Sequence, residues 1–139
     1  MSEMSKWGAH GWCFLHSCAW AYPEHPTPAD RRVMAAFLVS TGRVLPCLKC
    51  RAHYATFVAK HVPNADAPAL RDRDALSRCL VQLHNEVNER LGKPTQSYAD
   101  VRARYTREVP PGWTYTAVLA TLVIAVAAAA LLLHSRWPR

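Results

Sequence analysis

The stretch Leu45-Pro46-Cys47-Leu48-Lys49-Cys50-Arg51-Ala52-His53-Tyr54 decides how this chain reads. A proline closes one helical pattern, and a second pattern opens immediately with two closely spaced thiols. A dithiol with that spacing can cycle with a disulfide, and a helix start favours the thiolate, so redox chemistry is the first candidate. Half of a structural zinc site is the competing reading at this point.

Working outward, the pattern is helical on both sides. Upstream, Thr27 is placed to cap a helix, Pro28 suits its first position, and Asp30 falls where a first-turn acid meets the exposed amides. That helix is predicted to run to about Leu45, with Val33 or Met34, Phe37, Leu38, Thr41 and Val44 or Leu45 at intervals of three and four. An earlier helix from about Gly8 to Tyr22 gathers Trp12, Leu15, His16 and Ala19 near one face and ends at Pro23 and Pro26. Downstream, the Cys47 helix carries Tyr54, Phe57 and Val58 and stops by Pro63. A polar loop over 64–68 follows, and then a helix from about Ala69 to Leu91 with Leu76, Leu80, Leu83 and Val87 on its stripe, stopped by Gly92 and Pro94. The expected fold is all-α: a four-helix bundle with a short fifth helix over about 96–105, followed by a C-terminal transmembrane helix.

The last element rests on Thr114 to Leu133, which contains no charged residue and is dominated by Ala, Val, Leu and Ile. About 20 helical residues reach about 30 Å, the thickness of a bilayer core. The expected organisation is a bundle domain over 1–107, a linker over 108–113, a membrane helix over 114–133 and a short basic tail over 134–139. The amino terminus lacks the basic-then-apolar order of a secretory signal. The expected location is therefore a membrane, single-pass and tail-anchored, with the bundle on the cytosolic side. A net charge of +7 invites comparison with nucleic-acid binders. No Lys/Arg run, zinc-finger spacing or basic-aromatic interleaving supports that partner, and none is expected.

The remaining chemistry-bearing residues bear on the choice between redox and zinc. Five cysteines are present. Cys79 has no close mate, and Cys13 and Cys18 lie five apart on one predicted helix, about 8 Å between α-carbons, too far for an ordinary disulfide. Both are expected to be buried free thiols or an intermolecular link. Cys47 and Cys50 are the pair placed for a local disulfide, and no metal is expected. His84 and Asn88 share a helix face with Asn85 nearby, and Trp12 and His16 share another with Tyr22 just beyond. Imidazoles, amides and an indole on apolar stripes need partners when buried, and a flat ligand with a polar edge would supply them.

These fragments, in order, resemble the Erv/ALR family of FAD-dependent sulfhydryl oxidases. They are Trp12-x-x-x-His16, Tyr22-Pro23, Pro46-Cys47-x-x-Cys50, His84-Asn85-x-Val87-Asn88 and Leu91-Gly92-Lys93-Pro94. The short form with Pro-Cys-x-x-Cys-Arg-x-His-Tyr is similar to enzymes encoded by large DNA viruses. The resemblance implies a homodimeric helical bundle with FAD beside the Cys47-Cys50 disulfide. It further implies that Trp12, His16, Tyr22, Cys50, His84, Asn85, Val87, Asn88, Leu91 and Lys93 contact the cofactor. The implied activity is a thiol oxidase that takes electrons from protein dithiols through Cys47 and Cys50 to FAD and on to dioxygen, giving hydrogen peroxide. Its substrates would be protein thiols or a separate thiol-disulfide shuttle protein. The sequence departs from many cellular members at Cys79, Val81 and Ala9, where those members place tryptophan, cysteine and arginine. The resemblance therefore implies that their second, structural disulfide is missing. The alternative from another class is a non-enzymatic, membrane-anchored docking module with a structural or zinc-held cysteine pair.

Overall fold

The structure, a computed structural model, describes residues 4–106 of the chain. They form five helices: α1 (Met4–Ala21), α2 (Pro28–Val44), α3 (Leu48–His61), α4 (Arg73–Arg90) and α5 (Tyr98–Thr106), with a 3₁₀ turn (Pro68–Leu70) before α4. Helix α1 packs on α4 and α2 on α3, while the 3₁₀ turn wedges against α4 and α2, and α5 lies across α1 and α4.

Local chemistry sets each boundary. Thr27 caps α2 reciprocally: the Asp30 amide donates to its hydroxyl oxygen at 3.2 Å, and the Asp30 carboxylate accepts from the Thr27 amide at 2.8 Å. The Thr27 hydroxyl and amide hold the Asp30 carboxyl below its usual range. Asp72 caps α4, accepting from the Ala75 amide at 2.7 Å. The predicted start near Ala69 is thus resolved into a separate 3₁₀ turn, because Pro68 opens a short helix and the Asp72 carboxylate opens another. Helix α4 ends where Gly92 turns left-handed at φ 65° and the Lys93 amide reaches back to the Asn88 carbonyl at 2.8 Å.

The core joins Leu15, Ala19 and Tyr22 of the first helical segment to Leu38, Tyr54, Phe57, Val58, Leu76, Leu80 and Leu83. Each fully buried leucine contributes about 1.5–3 kcal/mol relative to exposure. On α2 the structure selects Met34 and Leu45 for packing, and leaves Val33 and Val44 exposed. Gly42 is buried against the Tyr54 ring, where a Cβ would lie 2.7 Å from Cδ1. That close approach seats α2 on α3.

Two expectations are corrected. Among the described residues no helix is long and apolar enough to cross a membrane. The span expected over 114–133, with its linker and tail, lies outside the described residues, and the fold of the described residues is five bundle helices. The membrane location and membrane partner inferred from that span are withdrawn with it. The second correction is smaller: Cys13 is exposed and Cys18 half-buried, while Cys79 is the buried free thiol, raised by desolvation to about 11.

Candidate functional site

Cys47 and Cys50 are joined by a disulfide with α-carbons 5.1 Å apart. Pro46 keeps the chain extended before it, and Cys47 becomes the cap of α3: its sulfur accepts from the Cys50 amide at 3.2 Å. Arg51 reaches back across the turn, donating through Nε to the Leu45 carbonyl at 2.5 Å. The disulfide is therefore fixed at the positive end of a 14-residue helix, where a thiolate is stabilised. Among the described residues no cluster of three or more His, Cys, Asp or Glu is placed to hold a metal ion.

The disulfide forms part of the wall of a cavity of about 440 Å³ between α1, α3 and α4, lined also by Trp7, Trp12, Leu15, Tyr54, Val87 and Leu91. A second cavity of about 660 Å³ adjoins it, sharing Gly8, Trp12 and Leu91, and adds His84, Asn88, Lys93, Arg104 and Tyr105. Both volumes fall in the range of small-molecule sites, about 300–1,000 Å³. The first is walled mainly by apolar and aromatic groups, with Lys49 and Arg90 among its lining, and the second is rimmed by Lys93 and Arg104. Apolar, aromatic walls with cations around them suit a ligand that joins a flat ring system to anionic groups. Gly8 serves both cavities, and a Cβ there would meet nothing within 4 Å, so its bare backbone leaves open room.

Between the cavities sits an aromatic cluster. Trp12 stacks on His84 with centroids 4.0 Å apart and planes 8° apart. His84 Nδ1 in turn lies 3.1 Å from His16 Nε2, and Tyr105 rests against His16 at 5.3 Å. Burial, followed by the Arg104 guanidinium, lowers His16 to about 4; burial, then His16, Arg104 and Lys93, lower His84 to about 4. Both rings are therefore neutral at pH 7, and their single hydrogen bond places an N–H of one against the lone pair of the other. His16 Nδ1 is buried without a partner.

The structure thus brings Cys47, Cys50, Trp12, Val87 and Leu91 to the first cavity and Trp12, His84, Asn88, Leu91 and Lys93 to the second, with His16 directly behind His84. It does not bring Tyr22 or Asn85 there. Tyr22 is core, its hydroxyl donating to the Leu70 carbonyl at 3.1 Å. The Asn85 amide is spent on the α4–α5 connection: Nδ2 donates to the Gln96 carbonyl and Oδ1 accepts from the Gln96 amide, both at 2.9 Å. Sequence reasoning missed Trp7, Gly8, Gly11, Leu45, Tyr54, Arg104 and Tyr105 as wall residues. Tyr54 could have been found, being four residues beyond Cys50 on the same helix; Arg104 could not, since only the docking of α5 brings it near.

A helical bundle that holds a disulfide at a helix start against an aromatic-walled cavity, with cations around it, defines a thiol–disulfide redox domain built for a flat, anionic cofactor. The sequence matches the Erv1 / Alr family over residues 9–106. It is 33% identical over 94 residues to the mitochondrial FAD-linked sulfhydryl oxidase erv1 of Schizosaccharomyces pombe, covering 68% of this chain and 50% of that one. It is 35% identical over 106 residues to a probable FAD-linked sulfhydryl oxidase of Acanthamoeba polyphaga mimivirus, covering 76% of this chain and 73% of the relative. The structure superposes on the crystal structure of the FAD binding domain of Erv1 from Saccharomyces cerevisiae with a TM-score of 0.67 at 28% identity, covering 76% of this chain and 95% of that one. The chain belongs to the Erv1/Alr family. Its bundle is an FAD-dependent thiol-oxidase domain with Cys47–Cys50 as the redox-active disulfide. The chain spans about half the length of the fission-yeast relative, and more of the viral one.

Proposed function

We propose that the whole protein oxidises protein dithiols to disulfides, with dioxygen as the final acceptor, and that the catalytic unit is confined to the first 107 residues. The observation that carries this is the disulfide in the wall of a cavity that adjoins a cationic one. A substrate thiolate attacks Cys47 Sγ, the sulfur at the helix start, and Cys50 leaves as a thiolate facing the cavity. A second substrate thiolate then displaces Cys47 and releases the oxidised substrate. Bound FAD supplies the two-electron acceptor for the reduced pair and the route to dioxygen, giving hydrogen peroxide.

The chain's own residues bind, orient and exclude water. Trp12, stacked on His84, presents a flat aromatic platform; Leu15, Val87 and Leu91 give apolar walls; Asn88 and Lys93 edge the cationic end, where lysine acts as a point charge. His16 holds the His84 ring in place. Lys49 and Arg51 add positive potential to the helix start. Tyr22 and Asn85 act as supports rather than cofactor contacts.

A homodimer fits the exposed apolar side chains of α1 and α2, chiefly Phe14 at 59% and Val33 at 70% exposure, with Phe14 edge-on to Phe37 at 6.0 Å. Substrates are protein thiols or a separate shuttle protein, since the described residues contain no second cysteine pair in a disulfide. The test is a visible spectrum of purified protein supplied with FAD, then oxygen uptake with dithiothreitol. A flavin band near about 450 nm and turnover that Cys50→Ser abolishes are expected. A folded protein with no flavin band refutes the assignment.

A further inference from the structure

The surface around the disulfide carries more charge and apolar area than the helix start alone requires. From Arg31 to Ala65, through all of α3 and most of α2, the chain has no aspartate or glutamate, but it has Arg31, Arg32, Arg43, Lys49, Arg51 and Lys60. Among the described residues every ion pair lies elsewhere, so Arg43 and Lys49 are exposed without an acidic partner, Lys49 at the mouth of the first cavity. Close to the disulfide in the chain, Val44 and Leu48 are 74% and 76% exposed, the two most exposed large apolar side chains among the described residues. Leu48 directly follows Cys47 in the chain and Val44 lies one turn before it. Two exposed apolar side chains and two unpaired cations, all within four residues of an attackable sulfur, are the makings of a docking surface.

We propose that this face selects its dithiol substrate: an acidic protein segment with an apolar residue next to its cysteine. The inference rests on the thiol-oxidase reading of Cys47–Cys50 and names the substrate class of that site. Val44 and Leu48 take the apolar neighbour, and Arg43 and Lys49 take the flanking carboxylates. The partner is an acidic segment because nothing on this hairpin could neutralise a basic one, and like charges meeting there would be repelled. The chemistry balances. The substrate thiolate forms a bond to Cys47 Sγ as the Cys47–Cys50 bond breaks, and the second substrate thiolate attacks the substrate sulfur of the mixed disulfide. Two substrate thiols become one disulfide, two electrons pass to the cysteine pair, and two protons are released or retained according to pH.

The test uses the full chain and matched Cys-x-x-Cys peptides that carry leucine beside one cysteine and are flanked by glutamate, glutamine or lysine. The rate at which each reduces the Cys47–Cys50 disulfide is followed by acid quench and mass measurement, which needs no turnover of the flavin. The acidic peptide is expected to react about tenfold faster than the basic one at low salt, and the difference to collapse at about 0.5 M salt. Arg43→Glu is expected to remove most of the preference. Lys60→Glu makes the same change in net charge about 18 Å further along α3 and is expected to leave the preference in place. Leu48→Ser should slow the leucine-bearing peptide several-fold and leave oxygen uptake with dithiothreitol, a small neutral dithiol, unchanged. Equal rates for acidic and basic peptides overturn the proposal, as does a preference that Lys60→Glu abolishes as well as Arg43→Glu. Dissociation of an oligomer by Leu48→Ser also overturns it, by giving the face to a second copy. Oxygen uptake with dithiothreitol reports the oxidase reading separately.

Discussion

Acidification between pH 6.5 and pH 4 should unfold this protein's cofactor end before its carboxylates fail. The perturbation is protonation of the His16–His84 pair, whose folded-state values both lie at about 4. An unfolded histidine titrates near about 6.5, so between these values the unfolded chain binds protons that the folded chain refuses. Stability contributed by the pair is complete above pH 6.5 and is lost as pH falls toward 4. A shift of about 2.5 units is worth about 3 kcal/mol for His16, which is 2% exposed. His84 is half-buried, and solvent screens its charge, so its share is held to about 1 kcal/mol. The two rings share one hydrogen bond and titrate as a unit, so the loss expected is about 3–4 kcal/mol for the pair. Asp30, Asp72 and Asp74 are each held below their usual range by hydrogen bonds, so their contribution fails only below about pH 3.9 and leaves the window clear. Urea unfolding at pH 7, 5.5 and 4.5, with FAD in fixed excess, reads the slope. His84→Phe, which keeps a ring against Trp12, should flatten it to the His16 share. Stability that does not change between pH 6.5 and 4.5, or His16 and His84 resonances that titrate near 6.5, would refute the reasoning.

Other perturbations test the packing that positions the site. Gly42→Ala puts a Cβ 2.7 Å from the Tyr54 ring and should cost about 1–3 kcal/mol by urea unfolding, with weaker FAD retention as Tyr54 shifts in the cavity wall. Asn85→Ala removes both hydrogen bonds to Gln96 and should lower stability by about 2 kcal/mol. Because Asn85 lies outside both cavities, the flavin spectrum of the folded variant should stay unchanged. Gly92→Ala forces a side chain into left-handed backbone at φ 65° and should cost about 1 kcal/mol in thermal unfolding.

Much of the bundle was legible because its signals are local. Thr27-Pro28 with Asp30 satisfies amides within one turn, and Pro46-Cys47 fixes both a stop and a cap. The disulfide was legible for the same reason: three residues at a helix start bring two sulfurs together without help from the rest of the fold. What was not legible depended on partners far away in sequence. Asn85 and His84 are neighbours on α4 and look equally suited to a ligand. Which amide is already taken is settled only by how Gln96 passes over α4. Tyr22 reads as a ring near Trp12, but its hydroxyl finds a carbonyl 48 residues away in a 3₁₀ turn that no periodicity announces. The exposure of Cys13 followed the same logic, since α1 turns a narrow face to α4 and leaves the next residue outside. The apolar run over 114–133 was read from hydropathy alone, a signal of length and composition that carries no information about surroundings.

The capping role of Cys47 has one further consequence. The sulfur that closes the first turn of α3 is also the atom an incoming thiol attacks, so the Cys50 amide proton sits on the reacting bond's own partner. Each turnover changes what that proton faces, from a disulfide sulfur to a thiol or thiolate. Deuterium uptake at this single amide is therefore a native gauge of the enzyme's oxidation state, readable without a dye, a substrate or a change to the chain.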